Sequence, residues 1–237
     1  MSERFYVNCL LGQGGLAIEG PEAHHLTAVC RVRQGDQIAL FNGNGREYRA
    51  VVTSVGKRRV EVDVLGESSP ERELPFRLVV ACPVPKGDRS QWLVEKLTEL
   101  GVACYVPLES RRSVVHPAEG KTEKLRRWVI EASKQCGRNV LMEVADLCPF
   151  GSFLARTDLP ALRLIADFGG EPAAQAIQPG DTVIAIGPEG GWAEDELAAA
   201  KDAGWRCVSL GSRILRLETA AATAAALFGQ LGNQSSS

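Results

Sequence analysis

Two short segments near the C-terminus constrain the fold of this chain more than any other feature. They are residues 186–192 (IGPEGGW) and 210–220 (LGSRILRLETA). Each follows a short apolar run that predicts a buried strand, and each opens an alanine-rich stretch that predicts a helix. Two such junctions close together bring backbone near a common point, so the sequence predicts a cofactor pocket there.

The rest of the chain predicts two domains of different kinds. In the first, a helix opened by Pro21 and reaching residue 32 interrupts β-rich runs at residues 4–11, 37–41, 47–55 and 59–64. In the second, strands alternate with helices, which is typical of an α/β domain with a mainly parallel sheet. The predicted strands are 76–82, 103–107, 162–166, 182–186 and 207–210, and the predicted helices are 89–100, 123–135, 194–203 and 218–231. The polar segment 66–75, which contains two prolines, predicts the boundary.

Composition narrows the class of protein. The 237 residues are 45% hydrophobic, which is enough for a substantial core. No apolar run approaches the roughly 18 residues of a membrane span, and no signal-peptide pattern opens the sequence, so we expect a cytoplasmic protein without membrane contact. The seven cysteines are scattered without C-x-x-C spacing. They predict reduced, buried thiols and neither a disulfide framework nor a metal site.

The net charge of −2 is unevenly distributed, because residues 71–140 hold 13 basic and 9 acidic side chains. This surplus suits binding of a polyanion, but a solvated helix face explains it as well.

The glycine loops do not match the common nucleotide-binding motifs. Residues 187–191 lack the Gly-Lys-Ser/Thr ending of a P-loop, and residues 43–48 (GNGREY) end in tyrosine where a dinucleotide fingerprint needs glycine. Pro188 restricts the first loop, whereas Gly190 and Gly191 leave room for an adenosine or a sulfonium tail. The alternative interpretation of residues 187–191 is a tight structural turn. The alternative interpretation of the alanine-rich stretch after residue 218 is a helix packed in the core.

These motifs together resemble the RsmE-type 16S ribosomal RNA uridine-N3 methyltransferases of the SPOUT class. The resemblance extends upstream through residues 95–102 (EKLTELGV), 131–138 (EASKQCGR), 4–7 (RFYV) and 24–31 (HHLTAVCR). It implies a PUA-like, RNA-binding β-barrel over residues 1–70 and a SPOUT α/β methyltransferase domain over residues 74–233. The C-terminal part of that domain, roughly residues 160–233, would form a trefoil knot. It also implies a homodimer that binds S-adenosyl-L-methionine in the knot.

The resemblance also implies roles for individual residues. The cofactor pocket would use backbone and apolar groups of Ile186, Gly187, Gly191, Leu210, Gly211, Ile214 and Leu215. Methyl transfer to uridine N3 places negative charge on the ring, which an arginine stabilises, and Arg216 and Arg138 are the candidates. Glu218 or Glu189 would orient an arginine or accept the proton. Stabilisation of a helix N-terminus is the alternative role for Glu218.

RNA recognition is expected of cationic residues within the matching motifs and in the basic stretch 121–138, which includes the predicted helix 123–135, since such side chains supply most sequence-independent RNA affinity. The candidates are Arg4, Arg31, Arg126 and Arg127. The expected partner is 16S rRNA in the assembled small ribosomal subunit, because the overall acidity disfavours strong binding to naked RNA. His24 and His25 lack metal-ligand spacing and indicate helix packing or capping. A noncatalytic RNA-binding or ribosome-assembly module, or a methyltransferase of another RNA, are the alternatives.

Overall fold

The computed structural model describes residues 3–113 and 121–234. The chain divides into two compact units. Unit 1 comprises the residues up to Glu73 together with Ile130–Leu141, and unit 2 comprises Leu74–Val129 and the residues from Met142 onward.

Unit 1 is built on a five-stranded sheet. Its strands are β1 (Arg4–Tyr6), β2 (Gly14–Glu19), β3 (Gln37–Phe41), β4 (Glu47–Val55) and β5 (Arg59–Ser68). They lie in the order β1-β3-β4-β5-β2, with β1 parallel to β3 and the other pairs antiparallel. Alternate residues of β4 and β5 are buried, as expected of a sheet with one face on the core. The register between β4 and β5 shifts twice, and such irregularities bend a sheet.

The predictions for unit 1 are confirmed for β3 and β4 and are partly wrong elsewhere. β1 ends at Tyr6 instead of residue 11, and β5 runs on to Ser68, into the predicted boundary segment. β2 was not predicted, because two glycines open it and weaken its strand signal. The predicted helix is α1 (Gly20–His24), with Pro21 in its first turn, and it continues as a π-helical turn over His25–Val29.

Unit 2 contains the predicted parallel sheet. Its strands are β6 (Leu78–Cys82), β7 (Cys104–Glu109), β8 (Glu143–Val144), β9 (Cys148–Pro149), β10 (Leu162–Pro172), β11 (Thr182–Ile186) and β12 (Arg206–Ser209). The order is β12-β10-β11-β6-β7-β8, with β9 beside β7, and the paired strands run parallel. All residues of β6 and β11 are buried, which is typical of strands covered on both faces.

The remaining helices are α2 (Arg89–Glu99), α3 (Lys121–Cys136), α4 (Phe150–Leu154), α5 (Ala173–Ala176), α6 (Glu194–Asp202) and α7 (Leu217–Gln234). In unit 2, α2 packs on α7 and α4 packs on α6. The four long helices were predicted within a few residues. The short elements β8, β9, α4 and α5 were not predicted, because two to five residues are too few to show a periodicity.

β10 is longer than the predicted residues 162–166, and its register against β12 shifts between Ala166 and Glu171. The chain therefore makes a loop within β10 and returns to the same neighbouring strand. Gly170 permits the close approach, because a Cβ atom there would lie 2.5 Å from backbone atoms of Val208. Any side chain at position 170 would push the two strands apart.

The cysteines are all free, and the prediction that they are buried is wrong for most of them. Cys82 and Cys104 are buried, Cys9 is exposed, and the other four lie between these extremes. Burial is the main cause that raises the pKa of Cys104 to about 12, which keeps that thiol protonated. Within the described ranges, no helix is long and apolar enough to cross a membrane.

Candidate active site

A cavity of about 280 Å³ lies where three neighbouring strands of unit 2 end. β10 lies between β11 and β12 and is parallel to both, so the carboxyl ends of all three meet at one edge of the sheet. Ligands of open α/β sheets bind at such an edge. The lining comes from residues 166–168, residues 186–192, positions within 209–217 and Ala220 of α7.

Seven residues were predicted to hold a cofactor, and the structure places every one of them in the wall of this cavity: Ile186, Gly187, Gly191, Leu210, Gly211, Ile214 and Leu215. Gly191 and Gly211 have φ angles of 67° and 123°, a backbone region that other residues rarely adopt. The two glycine loops therefore expose main-chain groups to the cavity.

Trp192 connects two walls of the cavity. Its Nε1–H donates a hydrogen bond to the carbonyl oxygen of Ala166 at 3.0 Å, and its ring stacks on Phe150 at a centroid distance of 4.4 Å. A Cβ atom on Gly187 would lie 3.1 Å from the Trp192 Nε1 atom, so only glycine fits there without displacing the indole. The sequence patterns did not assign Trp192 a role, although its position directly after the glycine pair was a usable signal.

Arg112 holds the glycine loop from the other side. Its Nη1 group donates to the carbonyl oxygens of Gly190 at 2.8 Å and Trp192 at 3.3 Å. The sequence gives no sign of this contact, because Arg112 is 78 residues away from Gly190 and follows another surface arginine.

Arg89, at the start of α2, lies between two carboxylates beside the cavity. Its Nη1 atom is 3.2 Å from Oε1 of Glu189 and 3.6 Å from Oε2 of Glu218. The Glu218 side chain is only 8% exposed, and its Oε2 atom has no hydrogen-bond partner within the described residues. One guanidinium thus faces two carboxylates, which leaves net negative charge here. Sequence reasoning found both glutamates and missed the arginine.

Arg216 lies between Leu215 and Leu217, which both line the cavity, but Arg216 itself is not part of the lining. Its side chain is exposed and forms no ion pair with any residue that the structure describes. Its guanidinium is therefore available to a ligand. Glu218 is the second residue of α7, so it also fits the alternative role of stabilising a helix N-terminus.

Arg138 lies in unit 1, where it is 3% exposed and does not line the cavity of unit 2. Its Nε atom donates to both carboxylate oxygens of Glu73 at 3.1 Å. Arg4 lies in the same unit and donates to the Asn139 side chain at 2.6 Å and pairs with Glu47. Burial, and then the charge of Arg72, lower the pKa of Arg4. Both arginines are held by contacts inside unit 1.

The other predicted RNA-binding residues have exposed side chains. Arg31 has a φ angle of 54°, an unusual backbone for a bulky residue, and follows the π-helical turn. Arg126 donates to the carbonyl oxygen of Val144 at 3.3 Å, and Arg127 is its exposed neighbour on α3. His25 packs edge-on against Phe5 at 5.8 Å, in agreement with the predicted packing role.

Comparison with known proteins places this geometry in a family. The model of an RNA methyltransferase domain matches residues 72–229, and that of an RNA methyltransferase PUA domain matches residues 18–65. The ribosomal RNA small subunit methyltransferase E of Bacillus subtilis is 34% identical over 218 residues, which cover 86% of this chain and 85% of that protein. This chain belongs to the ribosomal RNA small subunit methyltransferase E family. The Synechocystis member is 33% identical over 86% of this chain and 69% of its own length.

Solved structures extend the similarity to the whole fold. The methyltransferase E of Neisseria gonorrhoeae, solved bound to S-adenosyl methionine, has a TM-score of 0.89 and 32% identity, with 98% of each chain covered. A Legionella pneumophila methyltransferase in complex with bound SAM has a TM-score of 0.92 and 31% identity, covering 97% of this chain and 98% of that one. Members of this family thus combine an α/β methyltransferase domain with a PUA domain. Within the described residues, no group of three or more His, Cys, Asp or Glu side chains could hold a metal ion.

Proposed function

We propose that this protein transfers a methyl group from S-adenosyl-L-methionine to N3 of a uridine in 16S ribosomal RNA. The assembled small subunit in the cytoplasm is the proposed substrate. The observation that carries this proposal is the cavity at the ends of β10, β11 and β12, whose walls contain all seven residues predicted to hold the cofactor. Relatives that cover nearly the whole chain, and that were solved with the same cofactor, support it further.

The residues around the cavity fit S-adenosyl-L-methionine. Leu210, Ile214 and Leu215 offer apolar contacts for the adenosine, and the glycine loops offer main-chain hydrogen bonds. The cofactor supplies the methyl group on a cationic sulfonium. The net negative charge that Glu189 and Glu218 leave beside Arg89 favours a cation at this place.

The reaction needs a group that stabilises negative charge on the uracil ring, and Arg216 has the required properties. Its guanidinium is exposed, has no ion-pair partner within the described part of the chain, and follows directly on a residue of the cavity wall. When the N3 proton leaves, charge spreads over N3 and the two flanking carbonyl oxygens, which a guanidinium can bind through two N–H groups. N3 would take the methyl group as the bond between that carbon and the sulfonium sulfur breaks, which leaves a neutral thioether, while the N3 proton stays on the proton acceptor.

Glu218 is the proposed proton acceptor. Its buried Oε2 atom lacks a hydrogen bond within the described chain, and an N3–H group would satisfy it. Arg89 keeps this carboxylate near the cavity by pairing with it and with Glu189. Arg138, the other predicted catalytic arginine, is bound to Glu73 in unit 1, and this contact favours a role in holding the fold.

The proposed architecture is a homodimer in which residues 1–70 form a PUA-like β-barrel and residues 74–233 a SPOUT domain, knotted over roughly 160–233. The register shifts between β4 and β5 support a closed, curled sheet. The close approach of Gly170 to Val208 supports chain threading near the cavity. The proposed RNA contacts are Arg31, Arg126 and Arg127, whose side chains are exposed, whereas the contacts of Arg4 inside unit 1 make it the weakest of the four predicted RNA ligands.

Incubation with radiolabelled S-adenosyl-L-methionine tests the proposal directly. The acceptors are small ribosomal subunits that lack the modification and, in parallel, naked 16S RNA, and the labelled base is then mapped. We expect label on uridine N3 of the subunits and much less on naked RNA. Equal labelling of both acceptors would contradict the requirement for a particle. Label on another RNA would support a methyltransferase of that RNA, and label on no RNA would support a noncatalytic RNA-binding or ribosome-assembly module.

A further inference from the structure

A second cavity of unit 2 lies beside the cofactor cavity and has no part in the chemistry described so far. We infer that it binds a nucleotide of the RNA that flanks the methylated uridine, with its phosphate on lysines and its base against Trp128. This inference rests on the proposed function, since it needs an RNA substrate.

The cavity has a volume of about 360 Å³ and lies between the loop after β6, the first turn of α2 and one face of α3. Its polar lining includes Lys86 and Asp88 from the loop, Gln91 from α2 and Lys124 from α3. Trp128, one turn after Lys124 on α3, forms an aromatic wall.

The ammonium groups of Lys86 and Lys124 are not paired with a carboxylate in the described part of the chain. Both side chains are exposed. The Lys124 Nζ atom lies 4.9 Å from the centroid of the Trp128 ring, so positive charge and a flat π surface are next to each other. A flexible lysine can leave the ring for a phosphate and make that face available to a base.

The position of the cavity fits a neighbour of the reacting nucleotide. β6 lies beside β11 in the sheet and runs parallel to it, so the loops that follow them leave at the same edge. Arg89 comes directly after the lining residue Asp88 and contacts Glu189, which lines the cofactor cavity. Arg89 thus connects the wall of this cavity to a residue that lines the cofactor cavity.

The combination of groups points to RNA. Ammonium groups bind phosphate, and aromatic side chains stack on unpaired bases in many proteins that bind single-stranded nucleic acid. Asp88 and Gln91 add an acceptor and an amide at the rim, which can bind the edge of a base. An acidic peptide would use the lysines but would gain nothing from the indole.

Steady-state kinetics of Trp128→Ala with undermethylated small subunits tests the inference. We expect the KM for subunits to rise about tenfold, which is the effect of losing one stacked base, with little change in the KM for S-adenosyl-L-methionine or in kcat. Trp128→Phe keeps an aromatic face and is expected to restore most of the affinity. Trp92→Ala, which removes a tryptophan that is 41% exposed and lies outside the cavity, is the matched control.

The lysines are tested through the salt dependence of binding. In the Lys86→Gln/Lys124→Gln double variant, the slope of log affinity for subunits against log salt should become shallower by about 0.7 for each phosphate that the protein no longer neutralises. Lys201→Gln, which changes an exposed lysine of α6, should leave the slope as it is. Kinetics and slopes identical to those of the two controls would overturn the inference. An inactive wild-type protein would overturn the proposed function instead.

Discussion

The cofactor cavity of unit 2 and the arginine cluster of unit 1 contain residues from the same set of family motifs. The motif residues line a cavity in unit 2, whereas the motif arginines form ion pairs inside the fold in unit 1. In unit 2 the motif residues are mostly glycines and apolar groups whose backbone faces a cavity. In unit 1 the motif arginines Arg4 and Arg138 are largely buried and bound to Glu47 and Glu73. The motif alone does not show that these two arginines support the fold, whereas their ion-pair partners inside unit 1 do.

The largest expected effect comes from Arg216, a motif arginine without an ion-pair partner among the described residues. Arg216→Ala should lower kcat by about 10²- to 10³-fold, because charge on the uracil ring loses its stabilising group. Cofactor affinity, measured by calorimetry, should change little. Arg206→Ala, which changes an exposed arginine outside the cavity, is the control. Near-normal turnover of Arg216→Ala would remove this residue from the mechanism.

Substitution of Arg138 tests whether the buried arginines of unit 1 stabilise the fold. Arg138→Ala should lower the free energy of unfolding by about 3 kcal/mol, because the variant breaks the pair with Glu73 at a position where the arginine is buried. Urea denaturation measures this change. Arg156→Ala breaks a pair with Asp158 on the surface and should change the stability much less, because solvent screens exposed pairs. An inactive Arg138→Ala variant with unchanged stability would instead identify Arg138 as catalytic.

A smaller effect, on cofactor affinity, is expected when a glycine of the cavity wall is replaced. Gly187→Ala places a methyl group against the Trp192 indole and should weaken cofactor binding about tenfold, a cost of about 1.4 kcal/mol. Gly151→Ala is the control, because a methyl group on that helical residue meets no atom within 4 Å. Unchanged affinity of Gly187→Ala, measured by calorimetry, would show that the indole can move without affecting the cavity.

The backbone of the cofactor cavity could be predicted from the sequence, but the arginines that contact it could not. Strand and helix periodicity predicted the parallel sheet. The family resemblance supplied the residues predicted for the cofactor, which meet in one cavity because they lie at or after the ends of β11 and β12. Arg89 and Arg112 could not be found in this way. They reach the glycine loop from 100 and 78 residues away, so their contacts exist only after the chain has folded.

The short elements were missed for a different reason. β2 begins with two glycines, and α4 has only five residues, so neither has enough of a pattern to be seen alone. Each is stabilised by its neighbours: β2 pairs with β5 along its full length, and Phe153 of α4 is completely buried in the core of unit 2. Local sequence cannot report a stability that distant residues supply.

The cavity at the three strand ends makes the stability of unit 2 depend on its ligand. A molecule bound there touches segments that begin at residues 166, 186 and 209, so unfolding any of them releases it. At a ligand concentration about 100 times Kd, this linkage adds about 2.7 kcal/mol to the stability of the folded state. Cellular levels of the methyl donor would thereby set how long unit 2 resists proteolysis.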